Sequence, residues 1–282
     1  MAGGARRKPR LHVSGLRISA NSQTGTDPVI YVCIPAHNEA STVGVLLWKT
    51  RKAMAEFDRD YRVVVLDDAS SDDTREVLER YRKVLPLTVF FTDERIGYGR
   101  SVERLLRYVV TQADYPKRDC AVVLQGDFTE DPDDVVSLVK VLEGGADVVA
   151  ASPSPGAEPL PRGVRWAGWA ARRILGGAYG KAPVSNPLSG LRAYRVIVLK
   201  KAFRECPEKD SLITSDGWAA NLEMLAAVAP HARRIGESEA TWRYELQLRP
   251  SRFQPWATLR SLFRHRGGRV WADVTAENGT AS

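Results

Sequence analysis

The chain has 282 residues, 44% apolar and 27% charged, a composition typical of a globular protein that buries a substantial core. The net charge of +7 is concentrated near the two ends: residues 1–28 carry five basic side chains and one acid, and residues 249–271 carry six arginines and no acid. The body between these segments is slightly acidic, which argues against nucleic-acid binding as the main function, because a duplex reader needs its positive charge on the folded face.

The chain is predicted to divide into a tail, one domain and a basic C-terminal segment. Residues 1–28 show no sustained apolar period and are interpreted as a flexible basic tail. Residues 249–282 contain an arginine-rich amphipathic pattern, which suits either an anionic membrane surface or docking on the body. No spanning helix or signal peptide is recognised, so we expect a cytoplasmic protein, with peripheral attachment at the inner face of the membrane as the alternative.

From residue 29 to residue 248, short apolar runs alternate with amphipathic stretches. The runs predict buried strands over 29–34, 62–66, 87–91, 121–124 and 147–150. The amphipathic stretches predict helices near 40–57, 72–84, 98–113, 132–143 and 216–229. Strands separated by helices indicate an α/β domain, with a mostly parallel sheet covered by helices on both faces.

Polar residues follow three of the predicted strands. They comprise 35–39 after the first strand, 67–73 after the second and 125–127 after the fourth. Because ligands of open parallel sheets bind beyond the carboxyl ends of the strands, these clusters predict a binding site that takes a cation or a donor-rich ligand. For single residues a simpler role stays open. Ser71 or Asp72 could cap the helix predicted near 72–84. Asp131 and the acids after it could stabilise the start of the helix predicted near 132–143.

The motifs after these strands resemble the nucleotide-sugar half of family-2 glycosyltransferases, which have a Rossmann-like GT-A fold. The segment 34–39 (IPAHNE) resembles the signature (V/I)-P-x-(Y/H)-N-E, and 65–74 (VLDDASSDDT) resembles (V/D)-D-D-G-S-x-D-x-T. The segment 95–101 (RIGYGRS) resembles the glycine-bearing turn N-x-G-x-G-x-A. The resemblance therefore implies a GT-A fold and a nucleotide-sugar donor.

The second half of the domain is most similar to the polyprenyl-phosphate hexose synthases of that family, such as dolichyl-phosphate mannose synthase. The segment 186–195 (NPLSGLRAYR) resembles D-x-x-S-G-F-R-x-Y-R, and 215–223 resembles the helix that follows it in those enzymes. The resemblance implies transfer of a hexose to a polyprenyl phosphate.

The resemblance also implies which residues bind the donor. Asp68 stands where relatives accept a hydrogen bond from the base, and Glu39 lies on the ribose side or, alternatively, stabilises a helix start. The other implied donor-binding residues are Pro35, Ala36, Asn38, Asp67, Gly97, Gln125, Gly126 and Arg252.

The family places an Asp-x-Asp at its metal site, where this chain has Gln125-Gly126-Asp127. Asp127 keeps the second carboxylate, and Gln125 offers a neutral amide oxygen in place of the first. The expected cofactor is Mg²⁺ or Mn²⁺ held by Asp127 and Gln125, because hard cations prefer oxygen ligands. Fewer anionic ligands predict weaker metal binding.

Two residues are candidates for the acceptor side. Arg192 is predicted to bind the acceptor phosphate through its planar guanidinium, with a surface salt bridge as the alternative. Asp216 is the candidate general base, which an alcohol acceptor needs and a phosphate does not, and it could equally cap the 216–229 helix.

The sequence thus predicts an inverting glycosyltransferase that uses GDP- or UDP-hexose, with mannose or glucose as the sugar, and a polyprenyl-phosphate-type acceptor. Asp127, Asp216 and Arg192 are the expected catalytic residues. Two alternatives stay open: transfer to a hydroxyl in a polysaccharide, glycolipid or secondary metabolite, and a nucleotide-sugar-binding protein without transferase activity.

Overall fold

A computed structural model describes residues 28–154, 182–206 and 211–243, together with Trp169 and Arg173. The described strands form one seven-stranded sheet in the order β3-β2-β1-β4-β6-β5-β7. Every pairing between two strands of this sheet is parallel except the two made by β6, which runs antiparallel to β4 and to β5. The predicted α/β fold with a mostly parallel sheet is confirmed.

The strands are β1 Ile30–Ala36, β2 Tyr61–Asp67, β3 Leu87–Phe91, β4 Cys120–Val123, β5 Val148–Pro153, β6 Arg192–Arg195 and β7 Ile235–Ala240. The helices are α1 Val43–Phe57, α2 Thr74–Tyr81, α3 Tyr98–Gln112, α4 Pro132–Glu143, α5 Val196–Glu205 and α6 Trp218–Val228, followed by a 3₁₀ turn at Ala229–His231.

Two apolar layers cover the sheet, one on each face, because successive side chains of a strand point to opposite faces. Val32 and Ile34 of β1 belong to the layer that contains Leu46 of α1 and Leu138 of α4. Cys33, between them, belongs to the opposite layer, with residues of α3, α5 and α6. Helices therefore lie on both faces, as predicted, and β1, β4 and β6 form the middle of the seven-stranded sheet.

The sequence misplaced or missed several elements in the second half. The helix predicted to begin at 216 begins at Trp218, and β6, β7 and α5 were not predicted. Strand β6 has the sequence RAYR, which lacks the apolar run of a buried strand. Its Arg195 side chain is paired with Asp147 at 3.2 Å and donates to the carbonyls of Leu142 and Ala146, so a cation is accommodated at the end of a central strand.

In the described part of the chain, no helix combines the length and apolar character needed to cross a bilayer. Residues 1–27 of the predicted tail and the basic segment 249–282, which includes Arg252, lie outside the described residues. The domain boundary at residue 248 lies outside them as well and stays a prediction.

Candidate donor-binding site

The carboxyl ends of β1 and β2 are joined by backbone and side-chain hydrogen bonds. The Asp68 N–H donates to the Ala36 carbonyl at 2.8 Å, and the Asn38 N–H donates to the Ser70 hydroxyl at 2.7 Å. Asn38 adopts a positive φ of 52° and accepts the Ser71 N–H at 2.6 Å. The two loops predicted to bind the donor therefore form one unit at the sheet edge.

Asp67 supports this unit from inside. It is the last residue of β2 and is buried, and its Oδ1 accepts from both the N–H and the hydroxyl of Ser70. The carboxylate therefore shapes the turn that follows β2, and its contact with the donor stays a prediction.

Asp68 is also buried, at 3% exposure, and holds the glycine-bearing turn before α3. Its Oδ1 accepts the Ile96 N–H at 2.7 Å and its Oδ2 accepts the Gly97 N–H at 2.9 Å, while the Thr92 hydroxyl donates to Oδ1 at 3.3 Å. A carboxylate offers about four acceptor positions. Asp68 can therefore fix this turn and still accept a hydrogen bond from a ligand.

Glu39 is placed differently from the expected ribose contact. The residue is buried; its N–H donates to the Thr74 hydroxyl at 2.7 Å, and its Oε2 accepts from the Thr42 hydroxyl at 3.0 Å. Its carbonyl accepts from the Thr42 and Val43 N–H groups, at the start of α1. The alternative role, stabilisation of a helix start, is the one that these contacts describe.

Asp72 and Asp131 serve helix starts, as their simpler interpretations predict. Asp72 accepts from the N–H and the hydroxyl of Thr74, the first residue of α2, and from the Ala40 N–H. Burial opposes ionisation of Asp72, but these hydrogen bonds outweigh it and lower its pKa. Asp131 is the N-cap of α4, accepts from the Asp133 N–H at 3.2 Å and is ion-paired with Arg243.

The loop from Gln125 to Asp127 lies against the end of β1. A Cβ on Gly126 would lie 3.0 Å from the Pro35 carbonyl oxygen, and the Thr42 hydroxyl donates to the Gly126 carbonyl at 3.0 Å. Close backbone approach therefore explains the glycine. Asp127 is partly exposed, and its Oδ1 accepts from the Thr129 N–H at 3.1 Å and from the Thr129 hydroxyl at 2.6 Å.

Behind this loop is Glu130, a buried acid that the sequence interpretation missed. It accepts from the Gln125 N–H at 2.8 Å, from Gln125 Nε2 at 3.3 Å and from the Leu191 N–H. Burial, and then the nearby Asp127, raise the pKa of Glu130 to about 8, against the effect of these hydrogen bonds. The available signal in the sequence was a second acid directly before the helix-capping Asp131.

Asp216 lies beside the same turn as Asp68. Its Oδ1 accepts the Gly99 N–H at 3.1 Å, in the first turn of α3, and the Gly217 N–H at 2.9 Å. Gly97 has φ 88°, and a Cβ there would lie 3.1 Å from Asp216 Oδ2. The N-cap residue of α6 is Gly217, which has no side chain that could cap the helix. Asp216 therefore supports the start of α3 and exposes its carboxylate at the sheet edge.

The structure corrects both interpretations of Arg192. The side chain is 1% exposed, and its terminal nitrogens donate to the carbonyls of Asn221 (2.9 Å), Ser189 (3.1 Å) and Pro187 (3.2 Å). A fully buried guanidinium directed at carbonyls can make neither a surface salt bridge nor, without losing these bonds, a contact with an acceptor phosphate. Its Nε is buried without a partner among the described residues.

A buried polar network joins the donor loops to the second half of the sheet. A Cβ on Gly190 would lie 2.8 Å from Gln125 Nε2 and 2.9 Å from the Tyr98 hydroxyl. That hydroxyl donates to Asn221 Oδ1 at 2.9 Å, and Asn221 Nδ2 donates to the Leu188 carbonyl at 3.0 Å. Because Gly190 has no side chain, the segment predicted to face the acceptor can thus approach the loop of Gln125 closely.

Among the described residues, no cluster of three or more His, Cys, Asp or Glu side chains is arranged to hold a metal ion. Gln125 and Asp127 are both partly exposed and both carry oxygen donors. Mg²⁺ commonly takes one or two carboxylates and completes its coordination with substrate phosphates and water. The residues therefore fit a cation shared with a bound diphosphate, and they do not form a closed protein cage.

Comparison with known proteins identifies the class to which this fold and site belong. The sequence model of glycosyl transferase family 2 matches residues 31–203, and the chain belongs to that family. The predicted family and the predicted GT-A fold are both confirmed.

Particular relatives carry names of sugar transferases. The chain is 26% identical over 188 residues to the undecaprenyl-phosphate 4-deoxy-4-formamido-L-arabinose transferase of Pseudomonas syringae, covering 65% of this chain and 52% of the relative. It is 28% identical over 215 residues to the enzyme of the same name from Edwardsiella ictaluri, covering 74% of this chain and 62% of the relative. The chain thus spans roughly half to three-fifths of these relatives.

Among solved structures, glucosyl-3-phosphoglycerate synthase from Mycobacterium tuberculosis matches with a TM-score of 0.59 and 21% identity. The match covers 90% of this chain and 81% of that chain, whose structure contains Mn²⁺, UDP and glucosyl-3-phosphoglycerate. At this identity the similarity concerns the fold.

Proposed function

We propose that this protein is an inverting glycosyltransferase that moves a hexose from a nucleotide sugar to a polyprenyl-phosphate-type acceptor. The observation that carries the proposal is that three loops and the start of α3 meet at one edge of the sheet. Asp68 connects the Ala36 carbonyl to the Gly97 N–H, and Gly126 lies against the Pro35 carbonyl. The ends of β1, β2 and β4 and the start of α3 thereby surround the position where ligands of such sheets bind.

Each part of a nucleotide sugar has a candidate partner at this edge. Asp68 has acceptor capacity for the base, and the backbone from Pro35 to Asn38 faces the ribose side. Asp127 and the Gln125 amide oxygen are the candidate ligands of a cation, Mg²⁺ or Mn²⁺, that would offset the charge developing on the departing diphosphate. The donor can be a GDP- or a UDP-hexose, carrying mannose or glucose.

In the proposed reaction, an oxygen of the acceptor phosphate attacks the anomeric carbon from the face opposite the diphosphate. The bond between that carbon and the diphosphate oxygen breaks, and the nucleoside diphosphate leaves with the electron pair. Direct displacement inverts the anomeric configuration. An acceptor phosphate is already anionic and needs no general base. Because a polyprenyl phosphate resides in a membrane, the proposal includes peripheral attachment at the inner face of the membrane.

The acceptor class is supported by the names of two relatives, which are undecaprenyl-phosphate transferases.

Transfer to a hydroxyl is the second candidate, and a specific observation favours it. Asp216 is an exposed carboxylate beside Gly97, at the same edge as Asp68, where it could accept a proton from an alcohol. Arg192, the cation expected to bind an acceptor phosphate, is buried, which also favours a hydroxyl acceptor.

Turnover of labelled GDP-mannose and UDP-glucose tests the proposal. We expect nucleoside diphosphate to be released with polyprenyl phosphate present, together with a labelled product that extracts into organic solvent. Asp127→Ala should lower this rate by about a hundredfold or more. Glu79→Gln is the matched control, since Glu79 lies on α2 in a half-exposed ion pair with Arg82, and its rate should equal that of the wild type.

The same assay separates the alternatives. If the acceptor is a phosphate, Asp216→Asn should leave kcat within about threefold, whereas for a hydroxyl acceptor the loss of a general base should cost about a hundredfold or more. Donor binding without release of nucleoside diphosphate with any acceptor would contradict the proposal and identify a non-catalytic nucleotide-sugar-binding protein.

A further inference from the structure

Glu130 is a buried acid with no assigned role in the proposed reaction, and it lies directly behind the loop that carries Gln125. It is 1% exposed, and three donors converge on its carboxyl group: the N–H of Gln125, the side-chain Nε2 of Gln125 and the N–H of Leu191. The α4 helix is capped by Asp131, so Glu130 is not needed to start that helix.

The Gln125 amide has its NH₂ end directed toward Glu130. Nε2 lies 3.3 Å from Glu130 Oε1, and it also lies 2.8 Å from the position that a Cβ on Gly190 would take. The N–H groups of Gln125 and Leu191 also donate to this carboxyl group, so it is the hydrogen-bond acceptor of the cluster and faces the NH₂ end of the amide. The oxygen, the one atom of this side chain that suits a hard cation, is therefore turned away from Glu130.

We propose that Glu130 is a positioning residue, which orients Gln125 so that its amide oxygen serves the cation bound with the donor diphosphate. The inference rests on the proposed function, since it concerns the same donor site. Glu130 acts through Gln125 and does not itself contact the donor or the cation. A hydrogen bond from an amide NH₂ to a carboxyl oxygen also polarises the amide and increases the negative charge on the amide oxygen.

The arrangement explains how the neutral Gln125 can occupy the position where the family has the first Asp of Asp-x-Asp. The carboxyl group of Glu130 lies one layer deeper in the protein, and Gln125 in front of it supplies the oxygen. Leu191 donates to the same carboxyl group, so the loop of Gln125 is held in register with the segment 187–191. Glu130 thereby ties the donor loop to the second half of the sheet.

Calorimetric binding of UDP and of GDP, with and without Mn²⁺, tests this role. The measured quantity is the Mn²⁺ enhancement, the ratio of the two dissociation constants for each nucleotide. Wild type is compared with Glu130→Gln, with the exchanged pair Gln125→Glu/Glu130→Gln and with Gln125→Met. Binding without metal, and thermal unfolding followed by circular dichroism, show whether each variant retains its fold.

Glu130→Gln keeps the size of the side chain but places an NH₂ group next to Gln125, whose amide can then turn its oxygen inward. We expect the Mn²⁺ enhancement to fall by about tenfold or more, while binding without metal stays within about twofold. In the exchanged pair, the amide introduced at position 130 donates to a carboxylate at position 125, which presents an oxygen in either orientation. The enhancement should return to at least the wild-type value.

A role confined to packing would leave the Mn²⁺ enhancement unchanged in Glu130→Gln, or would leave it lost in the exchanged pair, and either result overturns the proposal. If Glu130→Gln does not fold, Gln125→Met decides, because the proposal requires loss of the enhancement in that variant. Wild-type binding of UDP or GDP without any Mn²⁺ enhancement overturns this inference and leaves the donor proposal standing. Failure of the wild type to bind either nucleotide contradicts the proposed function itself.

Discussion

The two halves of this sheet place their polar residues at different positions along the strands. In the first half, β1 and β4 are apolar along their length and β2 is apolar from Val63 to Leu66, and polar side chains come where each strand ends. In the second half, Arg192 of β6 and Asn221 of α6 are buried and joined to backbone groups. The comparison teaches that an ionisable residue in a functional motif can support the site from behind instead of contacting the ligand.

The largest expected effect on stability comes from removing the buried side chain of Arg192 in the second half. Arg192→Ala removes the donor from the carbonyls of Asn221, Ser189 and Pro187 and leaves a cavity in a closed region. Each buried acceptor left without a partner costs about 1–3 kcal/mol. We expect the free energy of unfolding, measured by urea denaturation, to fall by about 3 kcal/mol or more.

Arg204→Ala is the matched control, because Arg204 is exposed on α5, and its effect should stay within about 0.5 kcal/mol. A stable Arg192→Ala protein that has lost only its transferase rate would contradict the structural role and restore Arg192 to the acceptor site.

The next effect concerns the contact between the halves at Gly99, in the first turn of α3. A Cβ there would lie 2.4 Å from the Ser215 carbonyl oxygen and 2.7 Å from Ile213 Cγ2. Replacing a helical glycine with alanine normally stabilises a helix by about 1 kcal/mol, but here the collision with backbone dominates. We expect Gly99→Ala to destabilise the protein by about 2 kcal/mol in urea denaturation.

Gly44→Ala provides the comparison within α1. A Cβ on Gly44 would meet the Tyr81 ring at 3.2 Å, and that side chain can move by a few tenths of an ångström. Its effect should be smaller than that of Gly99→Ala, and equal effects at both glycines would refute the claim that α3 is tightly fitted to the 213–220 segment.

The smallest expected effect on stability concerns the buried Glu103, and it depends on pH. Burial opposes ionisation of Glu103, but donors from Ile213, Leu212, Ser211 and Arg107 outweigh it and hold the pKa of Glu103 below its usual value of 4.5. A carboxyl group with a lowered pKa in the folded state stabilises the protein above its unfolded pKa, and this stabilisation is lost as the pH falls through the folded value. We expect Glu103→Gln to cost about 1 kcal/mol at pH 7.

The difference in unfolding free energy between wild type and Glu103→Gln should shrink as the pH is lowered below about 4.5. Urea denaturation at several pH values measures it. A difference that stays constant, or that grows toward acid, would show that Glu103 is not held ionised by the 211–213 segment.

The first half could be predicted from the sequence because its signals are local. Apolar runs of strand length, such as 87–91, alternate with amphipathic helices such as 132–143, and both of these elements were predicted with the bounds that the structure shows. The clustering of polar loops at one edge follows from the parallel arrangement alone.

The roles in the second half could not be predicted in this way, because they depend on pairings between distant residues. Nothing near Arg192 shows that β6 inserts between β4 and β5 and buries the guanidinium under α6. The same holds for Glu130, whose partner Leu191 is far along the chain. A charged residue in a motif predicts either a ligand contact or a buried support, and only the three-dimensional neighbours decide between them.

The position of β6 also has a consequence for the order in which the chain can fold. The strands β3, β2, β1 and β4 are neighbours in the sheet and are complete once residue 123 has been synthesised. Strand β5 pairs only with β6 and β7 in the described sheet, and both come later in the chain. Until residues 192–195 arrive, β4 is therefore an open edge and β5 has no place to dock. A nascent chain at that stage exposes unpaired strand backbone, the kind of surface on which incomplete proteins aggregate.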